Sequence, residues 1–210
     1  MLAIGLVLFL VLLNVVQAWD SPRVLQRAVQ LGPGAQARTQ MLVDLIAEAA
    51  SGPEAGRLKL INSFFNRQVL FTDDRQAWGV TDYWASPLEL LAKGRGDCED
   101  YAIGKYFSLL AAGVPGVKMR LVYVRAEVSG SLQAHMVLAY YPEPEAEPLI
   151  LDNLITDIRP ASRRPDLAPV FSFNAEGLWQ GVGPATAGDP TTRLSRWRDV
   201  LSKARAEGWW

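Results

Sequence analysis

The apolar positions of this chain change period once, and the change divides it in two. From Ala37 to Ala50 hydrophobic residues return at helical spacing, with Met41, Leu42, Leu45 and Ile46 on one face. Ser51-Gly52-Pro53 breaks the run, and Leu58, Leu60, Ile61, Phe64 and Phe65 mark a second helix, which predicts an antiparallel pair. Ser86-Pro87-Leu88-Glu89 has the form of a helix start, with a Ser cap, Pro in the first position and Glu closing a capping box. That short helix runs to Lys93. Ala102, Ile103, Tyr106, Leu109 and Leu110 then trace a buried helix ended by Gly113 and Pro115.

Beyond Pro115 the period drops to two. Met119, Leu121 and Tyr123 alternate with Arg120, Val122 and Val124, as in a strand. Ser129-Gly130-Ser131 predicts a turn, Ala134 to Tyr141 a second strand, and Leu149-Ile150-Leu151 a third that stops at Asp152-Asn153. A last amphipathic helix covers Thr191 to Glu207, with Leu194, Trp197, Val200, Leu201 and Ala204 on its apolar face and Gly208 as its end. Residues 19–36 and Pro160 to Pro184 read as irregular, anchored by Trp19 and Leu25 and by Phe171, Phe173 and Trp179. Helices first and an antiparallel meander second give an α+β fold.

Composition narrows the function classes. Half of the 210 residues are hydrophobic, and the formal charge is −1 with both signs mixed along the chain. That excludes a nucleic-acid stripe and a polybasic membrane patch. The run Leu2 to Leu13, followed by Val16-x-Ala18, reads as a signal peptide over residues 1–18 cut after Ala18. No Lys or Arg precedes the run, and an uncleaved anchor or a buried N-terminal helix is the alternative. On that reading the mature domain, 19–210, is exported. No repeat or linker divides it.

The chemistry gathers at Gly94-Arg95-Gly96-Asp97-Cys98-Glu99-Asp100, which holds the only cysteine. Two glycines let the backbone turn before Cys98, which falls in the first turn of the buried helix. Free N–H groups and the helix dipole there favour a thiolate. A small hydrophobe in a core helix is the commoner fate of a lone Cys, yet Asp97 and Glu99 flank this one. The only histidine, His135, opens a strand and Asp152 closes its neighbour. A thiol nucleophile, an imidazole and an orienting carboxylate are what cysteine acyl transfer requires, and the Cys98 N–H is a ready oxyanion donor. Asp97, Glu99 and Asp100 oppose this by raising the thiol pKa. Either they face solvent as an ordinary acidic helix start, or a hard cation such as Ca²⁺ takes their oxygens.

Trp84-x-x-Pro87-x-Glu89, the Gly94 to Ala102 block, Ala134-His135-Met136-Val137-Leu138 and Leu151-Asp152-Asn153-Leu154 together resemble the bacterial transglutaminase-like cysteine proteinases. The similarity continues through Ile61-Asn62-x-Phe64-Phe65-Asn66, Pro160-Ala161-Ser162 and Phe171-Ser172-Phe173-Asn174. The resemblance implies a papain/transglutaminase-like fold, with the catalytic Cys at a helix N-terminus packed on an antiparallel sheet that carries His and Asp. It implies the triad Cys98, His135 and Asp152, and Ca²⁺ held by Asp97 and Glu99 with Asp100. It further implies a periplasmic endopeptidase that cuts a large calcium-binding surface adhesin near its N-terminus at a paired-alanine site and so disperses biofilm. Its implied partner is the periplasmic domain of an inner-membrane cyclic-di-GMP receptor, which sequesters it. Two other readings stand beside this one: a transglutaminase or amidase with the same acyl-thioester step, and a non-enzymatic calcium-binding interaction module.

Overall fold

The computed structural model describes residues 19–210, so the signal-peptide reading of residues 1–18 lies outside the described residues. The helices are α1 (Ser21–Gln30), α2 (Pro33–Ala50), α3 (Glu54–Gln68), α4 (Asp74–Ala77), α5 (Pro87–Lys93), α6 (Cys98–Ala111), α7 (Pro190–Arg193) and α8 (Ser195–Glu207). The strands are β1 (Leu70–Phe71), β2 (Arg95–Gly96), β3 (Met119–Val128), β4 (Ser131–Tyr140), β5 (Leu149–Leu151), β6 (Arg159–Pro160), β7 (Leu167–Phe173), β8 (Leu178–Gln180) and β9 (Thr186–Gly188). The fold is α+β. An antiparallel sheet in the order β6-β5-β4-β3-β7-β8-β9 carries the helices on one face. Among the described residues no helix is long and apolar enough to cross a membrane.

Alternation along β3 and β4 builds a core on each face of the sheet. Met119, Leu121, Met136 and Leu138 join the helical residues Leu42, Ile46, Leu58, Ile61, Phe65, Ile103 and Phe107. Val122, Val124, Val137, Ala139 and Ile150 form a smaller cluster on the other face. The helix α6 is buried on nearly every side. It approaches α3 so closely at Gly104 that a Cβ there would lie 2.5 Å from Phe65 Cε1.

Four sequence expectations need correction. Residues 19–36 are helical, because Asp20 caps α1 through the Arg23 N–H and Pro22 and Pro33 occupy first-turn positions where proline costs no hydrogen bond. The stretch from Pro160 to Pro184 supplies β7 and β8, extending the sheet past β3; Pro169 is tolerated beside a bulge in the β3–β7 pairing. Strand β4 begins at Ser131 rather than Ala134. The last helix is two, α7 and α8, broken at Leu194.

Candidate active site

The segment that presents Cys98 is held from both sides. Ser86 and Glu89 form the expected capping box on α5, and Gly94 ends that helix in the left-handed region, with φ 69°. The chain then runs as β2 beside β1, with Leu70 N–H donating to Gly94 O at 3.0 Å and Thr72 N–H to Gly96 O at 2.9 Å. Gly96 does not make a turn. It makes room: a Cβ there would lie 2.3 Å from Asp100 Oδ2 and 2.8 Å from Leu90 Cδ1. Cys98 is the first residue of α6, as expected, and Asp97 is its N-cap but makes no side-chain capping bond. The Asp97 carboxylate is therefore left for another purpose.

Cys98 is half-buried in a cleft whose walls include Asp97, Glu99, His135 and Met136. Its thiol donates to Glu99 Oε2 at 2.9 Å. Burial, then the charge and hydrogen bond of Glu99, then Asp97 push the Cys98 thiol up, against the Met136 N–H that holds it down. The thiolate expected from the helix N-terminus is thus not favoured in the protein by itself, because desolvation and two carboxylates outweigh the dipole.

His135 and Asp152 meet as the sequence suggested. His135 Nε2 lies 2.7 Å from Asp152 Oδ1, and both side chains are almost fully buried. Asn153 and Leu154 N–H groups also donate to Oδ1, at 2.7 and 3.1 Å. Two buried cations missed in the sequence complete this corner. Arg164 Nη2 donates to Asp152 Oδ2 at 2.6 Å and to Asp166 Oδ2 at 2.8 Å. Lys105 Nζ, on α6, donates to the Asp152 carbonyl at 2.9 Å, and Asn66 Nδ2 donates to the same oxygen at 2.9 Å. Burial works to raise the Asp152 pKa, but His135 and Arg164 prevail and hold it down to about 2. Burial likewise pushes Lys105 down to about 7 against the pull of Asp152. The one visible signal for Lys105 was a charge inside the apolar run of α6.

Of the acids beside Cys98, Asp100 is buried and Asp97 has a buried oxygen, whereas Glu99 lines the cleft. Asp97 and Asp100 converge with Asp74, and one carboxylate oxygen from each lies within 4.8 Å of the others. Asp74 Oδ1, Asp97 Oδ1 and Asp100 Oδ2 are buried and accept no hydrogen bond. The Ala85 N–H donates to the other Asp100 oxygen, Oδ1, at 2.7 Å and holds the Asp100 pKa down against burial. Glu99 joins the rim, grouped with Asp97 and Cys98 and, separately, with Asp74 and Asp82. Burial first, then mutual repulsion, drives Asp97 up to about 10 and Asp100 up to about 8. Burial raises Asp74 to about 6 against the Tyr83 N–H. Buried oxygens with no donor are costly unless a cation takes them, and an all-oxygen carboxylate set suits a hard cation such as Ca²⁺. Nothing in the sequence distinguishes Asp74 from its neighbour Asp73. Asp73 is spent on capping α4, whereas Asp74 points inward.

A family model described as bacterial transglutaminase-like cysteine proteinase matches residues 39–166. A solved structure of LapG from Legionella pneumophila is 40% identical, with a TM-score of 0.76 over 88% of this chain and 97% of that one. An EGTA-treated form of it gives 41%, 0.78, 88% and 97%. A calcium-bound form gives 39%, 0.75, 88% and 98%. Among curated proteins none matches the chain.

Proposed function

The chain belongs to the bacterial transglutaminase-like cysteine proteinases, and from that premise we propose that it is a calcium-dependent endopeptidase of the periplasm. In this reading Cys98, His135 and Asp152 are the catalytic triad. The protease cuts a large surface adhesin near its N-terminus at a paired-alanine site and so promotes biofilm dispersal. A cyclic-di-GMP-responsive inner-membrane receptor restrains it by sequestration.

The observation that carries the proposal is one cleft in which the sole cysteine, at a helix N-terminus, shares a wall with a histidine bonded to a buried aspartate. Asp152, ionised, can only accept, so His135 Nε2 carries the proton and Nδ1 is left to take the Cys98 proton. The sulfur then attacks the scissile carbonyl, and the Cys98 N–H meets the developing oxyanion. The imidazolium returns its proton to the leaving amine, and water drawn through His135 releases the acyl group from sulfur. Asp152 fixes the ring and offsets its positive charge, while Arg164 and the two N–H groups keep Asp152 ionised. Asp74, Asp97 and Asp100, with Glu99 at the rim, would hold Ca²⁺. Its charge would offset the carboxylates that now raise the thiol pKa.

The test is cleavage of an N-terminal adhesin fragment containing paired alanines, in Ca²⁺, in EGTA, and in EGTA followed by Ca²⁺ or Mg²⁺. Cleavage should stop in EGTA, return with Ca²⁺, and return poorly with Mg²⁺, which demands a tighter octahedral shell. Full activity of protein shown calcium-free by elemental analysis would remove the metal from the proposal.

A further inference from the structure

Strand β4 pairs with β3 along its whole length but meets β5 only over Leu138 to Tyr140. Residues 131–137 therefore have one side with no neighbouring strand. The β3–β4 turn fixes which groups face that side. Ser129 and Gly130, with φ 52° and 78°, form a two-residue loop closed by Val128 and Ser131. Such a loop is closed by a hydrogen-bonded pair, and bonded pairs recur at every second residue. Ser131, Gln133, His135 and Val137 thus turn their backbone groups toward β3, and Leu132, Ala134 and Met136 turn theirs outward.

The outward N–H and C=O of Leu132 and Ala134 have no partner among the described residues, and both residues are exposed. The edge also lacks the usual protections. Ser131-Leu132-Gln133-Ala134 has no charge, no proline and no bulge against β3. It is continuous with the cleft: Gln133, Ala134 and Met136 line the cavity beside Cys98, and Leu132, Ala134 and Tyr123 line the hollow that follows it.

We propose that this free edge of β4 is the substrate rail, onto which an extended peptide segment adds as a strand through Ala134 and Leu132, with its scissile carbonyl delivered to Cys98. The inference rests on the peptidase reading and specifies what that site recognises: main chain in extended form. A helical or folded segment cannot pair with an edge, so the cut must fall in an unstructured stretch of substrate.

The probe is acetyl-tetraalanine chloromethyl ketone in Ca²⁺ buffer, chosen because alanine leaves recognition to the backbone. The Cys98 sulfur bonds to its methylene and chloride leaves, so labelling by mass spectrometry gives kinact/KI. Iodoacetamide reports the thiol's reactivity separately, and the ratio of the two rates is the readout. N-methylation of the probe should lower the ratio at least tenfold at alternate residues and little at those between. Ala134→Pro should lower it at least tenfold as well. Proline there deletes only the outward N–H, a change that edge strands tolerate; if this variant misfolds, the N-methyl series on the unaltered protein decides. Rapid labelling by both reagents with no alternation in the N-methyl series would overturn the rail and leave the nucleophile standing. Labelling of Cys98 by neither reagent would bring down the peptidase reading and the rail together.

Discussion

Replacing Arg164 with Met removes a charge from the most enclosed ion pair of the site while keeping a side chain of similar reach. Arg164 is 1% exposed and Asp152 is 0% exposed at the side chain. Asp152 Oδ2 accepts from Arg164 alone, whereas Oδ1 keeps His135 and two N–H groups. Removing one partner of a buried pair costs about 3–5 kcal/mol. The three surviving donors put this case near the lower end, about 3 kcal/mol at pH 7. The sign of its pH dependence follows from Asp152, whose pKa is depressed from 3.8 to about 2. A depressed carboxyl contributes stability above its unfolded pKa that is lost as pH falls through the folded one. The full shift corresponds to about 2 kcal/mol. Because His135 contributes to it before Arg164 does, the deficit of Arg164→Met should narrow by about 1 kcal/mol between pH 7 and pH 2, where Asp152 of the native protein itself begins to protonate. Urea unfolding followed by tryptophan fluorescence at both pH values measures this directly. In kcat/KM the acid limb should move to higher pH, since the orienting carboxylate protonates more easily, and Arg164→Lys should restore part of the shift. An Arg164→Met protein with the wild-type urea midpoint at pH 7, or a deficit that grows on acidification, would refute the reasoning.

Cys98→Ala should abolish cleavage of the adhesin fragment with the thermal midpoint preserved; activity within tenfold of wild type would remove Cys98 as nucleophile. Asp152→Asn should lose on the order of 10²–10⁴-fold in kcat through the wrong imidazole tautomer, read from initial rates on the same fragment. Asp74→Asn should weaken Ca²⁺ binding in calorimetry at least tenfold, and an unchanged isotherm would move the site away from Asp74. Gly104→Ala should destabilise by about 1–3 kcal/mol in urea, because the new methyl would meet the fully buried Phe65 ring at 2.5 Å.

What the sequence disclosed were the features whose cause is local. The capping box at Ser86, the period of α6 and the alternation of β3 are each decided within a few residues, and the structure agrees with them. The three residues expected to act together, Cys98, His135 and Asp152, line or adjoin one cleft. Proline and glycine misled where their role depends on position. Pro22 and Pro33 start helices rather than interrupt them, and Pro169 sits where β7 bulges. Asp74, Arg164 and Lys105 were not legible because each acquires its meaning from a distant partner: Arg164 from Asp152, and Asp74 from Asp97 and Asp100 across the loop before α5. Gly96 was legible as important for the wrong reason, since the space it leaves is taken by a carboxylate.

The helix α8 follows in sequence everything it packs upon. Trp197 is fully buried against Tyr106, Phe107 and Phe173, and Glu207 bonds to Ser86 at the start of α5. Trp209 stacks on Trp19, and the Asp20 N–H donates to Gly208 O at 2.7 Å. A chain that emerges N-terminus first therefore cannot finish its helical core until α8 and Trp209 are free, and these closures, among the most distant in sequence, carry the largest loop entropy. Until then the slot for Trp197 lies open beside the helix that bears Cys98. Folding of the Cys98-bearing helix is thus tied to the arrival of α8, and truncating α8 should leave a chain whose helical core stays incomplete.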